Sequence, residues 1–153
     1  MLSTLQNLPF PIIPLWAVAI AILLIYVPMV WVAWERFRLG YNLSAPRTMF
    51  DQLPPYAQRA FWAHQNAVET FAPFAAAAVI AFVTGPHPQL AWGQLGGDVW
   101  IAGLSGGFLL ARLGHSLFYM IDWPYARSFS FLLGGICTAG ILWISLREWI
   151  PWA

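Results

Sequence analysis

The sequence predicts an all-α fold, an integral membrane bundle of four helices, on three observations. Apolar residues make up 60% of the 153-residue chain and charged residues only 8%, against about a quarter in soluble domains. Four segments are long enough to cross a bilayer, which takes about 20 mainly apolar residues. None of the four alternates with the period of two that a half-buried strand requires. A soluble four-helix bundle of this size would need charged outer faces, and the sequence does not supply them.

The first span runs over residues 12–34, free of charge until Glu35-Arg36, with Pro28 as an expected kink. The second covers 59–84, polar at its start and then clean. The third, 99–121, is interrupted by Arg112 and His115, and the fourth covers 125–146. A long polar loop at 35–58, a Gly/Pro-rich loop "GPHPQLAWGQLGG" and a tight "DWP" turn connect them. No internal repeat or low-complexity tract divides the chain, so residues 1–153 read as one domain.

All seven cations are arginine. Arg36, Arg38, Arg47 and Arg59 flank the first loop, Arg127 follows the third span, and only Arg147 stands at the other end. The positive-inside rule then puts the 35–58 loop and the "DWP" turn in the cytoplasm and both termini outside. Trp16, Trp34, Trp92, Trp100, Trp123, Trp143, Trp149 and Trp152 fall near span ends, as an aromatic belt would. A net charge of +1 offers no basic stripe, so no nucleic-acid partner is expected. The single Cys137 provides neither a disulfide framework nor CxxC chemistry and reads as a small core residue. The N-terminal residues lack the basic region and cleavage site of a signal peptide.

The chemistry sits inside the spans. At about 100° per residue, Arg59, Trp62, Gln65, Asn66, Glu69 and Pro73 share one stripe about 120° wide on the second span. On the third, Ser105, Arg112, His115, Ser116 and Tyr119 form another. Glu69 and Arg112 each lie ten residues from the same end, about 15 Å deep, which predicts an ion pair facing the bundle interior. An ion pair alone would do no more than lock two helices in register. Arg59, Gln65, Asn66, His115, Tyr119 and Arg127 in the same leaflet exceed what register needs, and intramembrane ionisable groups mark functional sites. A polar pocket open to the cytoplasm is expected. Asp122 is placed to cap the fourth span and Pro124 to start it, with Arg127 and Ser128 in the first turn as a seat for an anion. His64 falls off the stripe and reads as a helix or subunit contact, and His87, between two prolines, as a solvated loop residue. The residues suggest no metal, and His64 with His115 is a poor haem pair because the two face different ways.

These residues resemble the MAPEG family, the membrane-associated proteins of eicosanoid and glutathione metabolism. "RAFWAHQNAVETFAPF" matches the family's signature through Arg59, His64, Asn66, Glu69 and Pro73. "ARLGHSLFYMIDWPYARS" is similar to its second region through Arg112, His115, Tyr119, Arg127 and Ser128. The resemblance covers roughly residues 55–135 and implies a homotrimer with glutathione bound as co-substrate between neighbouring subunits. It implies Arg127 and Ser128 as catalytic residues, Arg127 stabilising the thiolate. It also implies a glutathione site of Arg59, Gln65, Asn66, Glu69, Arg112, His115 and Tyr119. The partners implied are membrane lipid and a small apolar electrophile, and the activity is transferase- or peroxidase-like detoxification. Gln65, Trp62 and Phe131 stand where relatives often carry basic residues and a tyrosine, which is the case for the alternative, a non-catalytic membrane binding or scaffold protein. The all-arginine cation set points to a bacterial-type member in the inner (plasma) membrane.

Overall fold

The computed structural model describes residues 12–87 and 96–147. Its helices are α1 (Ile13–Tyr26), α2 (Met29–Arg38), α3 (Pro55–Thr84), α4 (Gly97–Met120) and α5 (Pro124–Leu146). A 3₁₀ helix, Pro46–Gln52, crosses the loop between α2 and α3. With α1 and α2 taken as one span, four helices are long and apolar enough to cross a membrane, and no strand occurs among the described residues. Trp92, Trp149 and Trp152 of the expected belt lie outside the described residues.

The kink expected at Pro28 is a break between α1 and α2. Proline has no N–H to give the carbonyl four residues back, so the chain tightens there and Val27 N–H bonds Leu24 O at 3.3 Å. His64 Nδ1–H donates to the Ile25 carbonyl across the gap at 2.8 Å, and its ring meets Tyr26 at 5.7 Å. His64 is therefore a helix–helix contact, as its off-stripe position predicted.

Packing follows small residues, as it must where lipid is as apolar as leucine. The buried face of α3 is Ala57, Ala60, Ala63, Ala67, Phe74, Ala77, Ala78 and Ala81. α4 and α5 pack most extensively on each other, and both lie against α3. One core joins Ala21, Phe74, Phe108, Cys137 and Ile141, with the Phe74 and Phe108 rings stacked at 3.7 Å. A second, under the 3₁₀ helix, joins Val32, Leu53, Ala57 and Ala60.

Two expectations about helix ends are corrected. Asp122 does not cap α5, whose N-cap is Trp123 with no side-chain bond. Asp122 instead ends α4: at φ 61° it holds the left-handed position. Trp123 N bonds Phe118 O at 2.9 Å and Asp122 N bonds Tyr119 O at 3.3 Å, the pairing of a Schellman motif. His87 is not solvated but buried at 7% exposure. Its Nε2–H donates to the Ala81 carbonyl at 3.0 Å, and its backbone N–H to Asp98 Oδ1 at 3.2 Å. The Ala81 carbonyl, which also accepts from Gly85 N–H at 3.1 Å, thus takes the imidazole as a second donor at the C-terminus of α3.

Candidate functional site

The polar residues singled out from the sequence separate into an inner and an outer set. Angles of about 100° per residue from the alanine face of α3 show why. Arg59 and Asn66 lie about 70° from the centre of that face, whereas Glu69 and Gln65 lie about 140° and 180° from it. The first two thus sit at the edge of the packed face, and the last two are exposed on the outside of the bundle.

Arg112 comes from the buried face of α4 and is 5% exposed. The predicted ion pair with Glu69 does not form, because Glu69 points away. Arg112 Nη2–H donates to Asn66 Oδ1 at 2.7 Å, and its Nε and Nη1 are buried without a hydrogen-bond partner. A buried guanidinium thus has a neutral amide as its hydrogen-bonded partner.

One turn further along α4, His115 is 3% exposed. Its Nδ1–H donates to the Arg127 carbonyl at 3.1 Å, so the neutral ring carries its lone pair on Nε2, which is buried and unpartnered. Tyr119 packs edge-on at 5.6 Å and Phe131 at 6.0 Å. The Arg127 guanidinium lies 4.5 Å over the Tyr119 ring. That contact engages the cation's charge through the ring's π face and uses no hydrogen-bond acceptor. Ser128 is exposed next to it.

The structure therefore brings Asn66 to Arg112, and His115 to Tyr119 and Arg127, on three helices at one end of the bundle. Arg59 goes elsewhere: its Nε–H donates to Met120 O at 3.2 Å and Nη1 lies 3.6 Å from Asp122 Oδ2, clamping the α4–α5 turn. Beside the cluster runs an apolar groove of about 320 Å³ between α3, α4 and α5. Thr70, Pro73, Phe108, Phe131, Gly134 and Thr138 help line it, with Arg112 in its wall. No metal-binding group of three or more His, Cys, Asp or Glu occurs among the described residues.

A model of the MAPEG family matches residues 13–147. The chain belongs to the MAPEG family. No significant match emerges among curated proteins or solved structures. The family match reaches beyond the two motif regions to all four spans, including α1 and α2.

The MAPEG bundle also holds a polar group that motif reading passed over. Glu35 is buried at 4% exposure and accepts bonds from Arg38 Nη1 at 3.0 Å and from the Tyr56 hydroxyl. The Glu35–Arg38 spacing of three, one helical turn, was its available signal. It ties the end of α2 to the start of α3.

Proposed function

We propose that the protein is a membrane glutathione transferase- or peroxidase-like enzyme that joins the glutathione thiolate to an apolar electrophile. The observation that carries this reading is a pair of polar contacts across three helices, Asn66 with Arg112 and His115 with Arg127. Family membership supports it. Asn66, Gln65 and Glu69 would hold the tripeptide's polar groups, with Arg127 and Ser128 at its sulfur. A thiol of pKa about 8.5 is mostly protonated at neutral pH, and only the thiolate is a strong nucleophile. A guanidinium in low dielectric favours the thiolate. The sulfur then forms a bond to the electrophilic carbon, and the displaced group leaves with the bonding pair. The groove between α3, α4 and α5 offers the electrophile a seat reached from lipid.

The homotrimer belongs to the same proposal. Exposed Glu69 and Gln65 about ten residues into a span would face lipid in an isolated protomer, and a carboxylate there costs about 3 kcal/mol. A neighbouring subunit covering this stripe removes that cost. The arginine distribution supports placing the α2–α3 loop in the cytoplasm, with the termini outside, in the inner membrane of a bacterial cell.

Arg127→Ala tests the reading. In detergent the variant should keep the oligomer mass and melting temperature of the native protein and lose conjugation of a model chloronitrobenzene with glutathione. Equal activity in the variant would remove Arg127 from the chemistry. Absence of any saturable glutathione binding by the native protein would favour the scaffold alternative, for which Phe131 beside His115, in place of a phenol, is the structural argument.

A further inference from the structure

The Arg112–Asn66 bond fixes something that an asparagine does not fix by itself. A guanidinium is a donor with no acceptor, so the amide must turn its oxygen inward, toward Arg112. Its N–H₂ group then points the other way. Asn66 Nδ2 has no partner within the described protomer and is not among the buried unpartnered atoms, so both its hydrogens are presented at the outer edge of α3. Glu69, one turn on and exposed, is an acceptor when ionised. Groups three apart on a helix are neighbours, about 5–6 Å apart at Cβ.

We propose that Arg112 is a positioning residue: it locks Asn66 with N–H₂ outward, so that Asn66 and Glu69 together recognise the adjacent carboxylate and ammonium of an α-amino acid headgroup. The carboxylate takes the Asn66 donors and the ammonium takes Glu69. The inference rests on the glutathione reading above, where that headgroup is the γ-glutamyl end. Arg112 also strengthens the contact, because a cation hydrogen-bonded to the amide oxygen polarises the N–H bonds opposite. With Nε and Nη1 unpartnered and Arg59 committed to the α4–α5 turn, Arg112 supplies the positive charge behind this surface. It never touches the ligand.

Asn66→Asp separates this role from a structural one. Aspartate keeps the contact to Arg112, as an ion pair, and removes the outward donors. Binding is measured by calorimetry in detergent with glutathione, and with 4-aminobutyryl-cysteinyl-glycine, which lacks only the α-carboxylate. The variant should melt at or above the native temperature and bind glutathione about tenfold or more weakly, the worth of a lost hydrogen bond to a charged group. Its affinity for the decarboxylated analogue should stay within about twofold of the native protein's. Arg112→Met, where it folds, should repeat the pattern because it frees the amide to flip. A variant that binds glutathione as the native protein does, or loses both ligands equally, overturns the inference and leaves the glutathione reading standing. A native protein with no saturable heat for glutathione overturns both.

Discussion

The histidines of this bundle reach backbone carbonyls of neighbouring helices. His64 and His115 both give Nδ1–H to a backbone carbonyl, at Ile25 and Arg127 respectively, yet the consequences differ. The Ile25 carbonyl stands at the break made by Pro28, inside a span where water offers no substitute. His64→Leu should therefore cost about 1 kcal/mol, the range seen for hydrogen bonds between membrane helices. Reversible unfolding in mixed detergent measures it, and an unchanged midpoint would mean that the break closes without the histidine. His115 leaves a second nitrogen buried and unpartnered, the kind of group that structural residues seldom carry. Glu69 shows the complementary case: it has depth without a partner among the described residues, and it lies outside the core, on the surface proposed above for recognition.

At the level of elements, close helix approach depends on particular glycines. A Cβ at Gly107 would stand 3.1 Å from Cys137 Sγ, whereas one at Gly106 meets nothing within 4 Å. Gly107→Val should destabilise by about 1–3 kcal/mol through overpacking between α4 and α5. Gly106→Ala should be neutral or gain up to about 1 kcal/mol from reduced chain entropy. Equal melting temperatures for the two variants would show that α4 and α5 can part without cost. The α4–α5 turn is held from both sides, by the Schellman bonds of Asp122 and Trp123 and by Arg59 reaching from α3. That clamp fixes where α5 begins, and so where Arg127 sits relative to His115.

For the whole molecule, the polar groups collect at the end that carries Arg36, Arg38, Arg47, Arg59 and Arg127, and the apolar groove lies deeper in the bundle. A charged thiol substrate and an apolar one would then reach the site from different phases. The proposed orientation has a direct check. Ser44→Cys places an exposed thiol in the α2–α3 loop, while native Cys137 is 5% exposed. In sealed right-side-out vesicles a membrane-impermeant maleimide should leave residue 44 unlabelled until the vesicles are opened. Immediate labelling would invert the topology.

The sequence by itself determined the class and the spans, because hydrocarbon admits only long apolar helices and their lengths follow from bilayer thickness. It also singled out the polar groups inside the spans as candidates, because ionisable groups there are too costly to be scattered. Only the tertiary structure decided who pairs with whom. Depth made Glu69 and Arg112 look matched, but the face of α3 that packs is the alanine face from Ala57 to Ala81. Asn66 lies on its edge and Glu69 beyond it. The alanines were legible, yet in a membrane hydrophobicity does not separate an inward face from an outward one, since lipid and core are equally apolar. His87 was misread for a related reason. Flanking prolines signal a loop, but not that the loop folds back to donate to the last carbonyls of α3. Distances of a few ångströms between helices far apart in the chain were what turned a list of polar residues into the pairs Asn66–Arg112 and His115–Arg127.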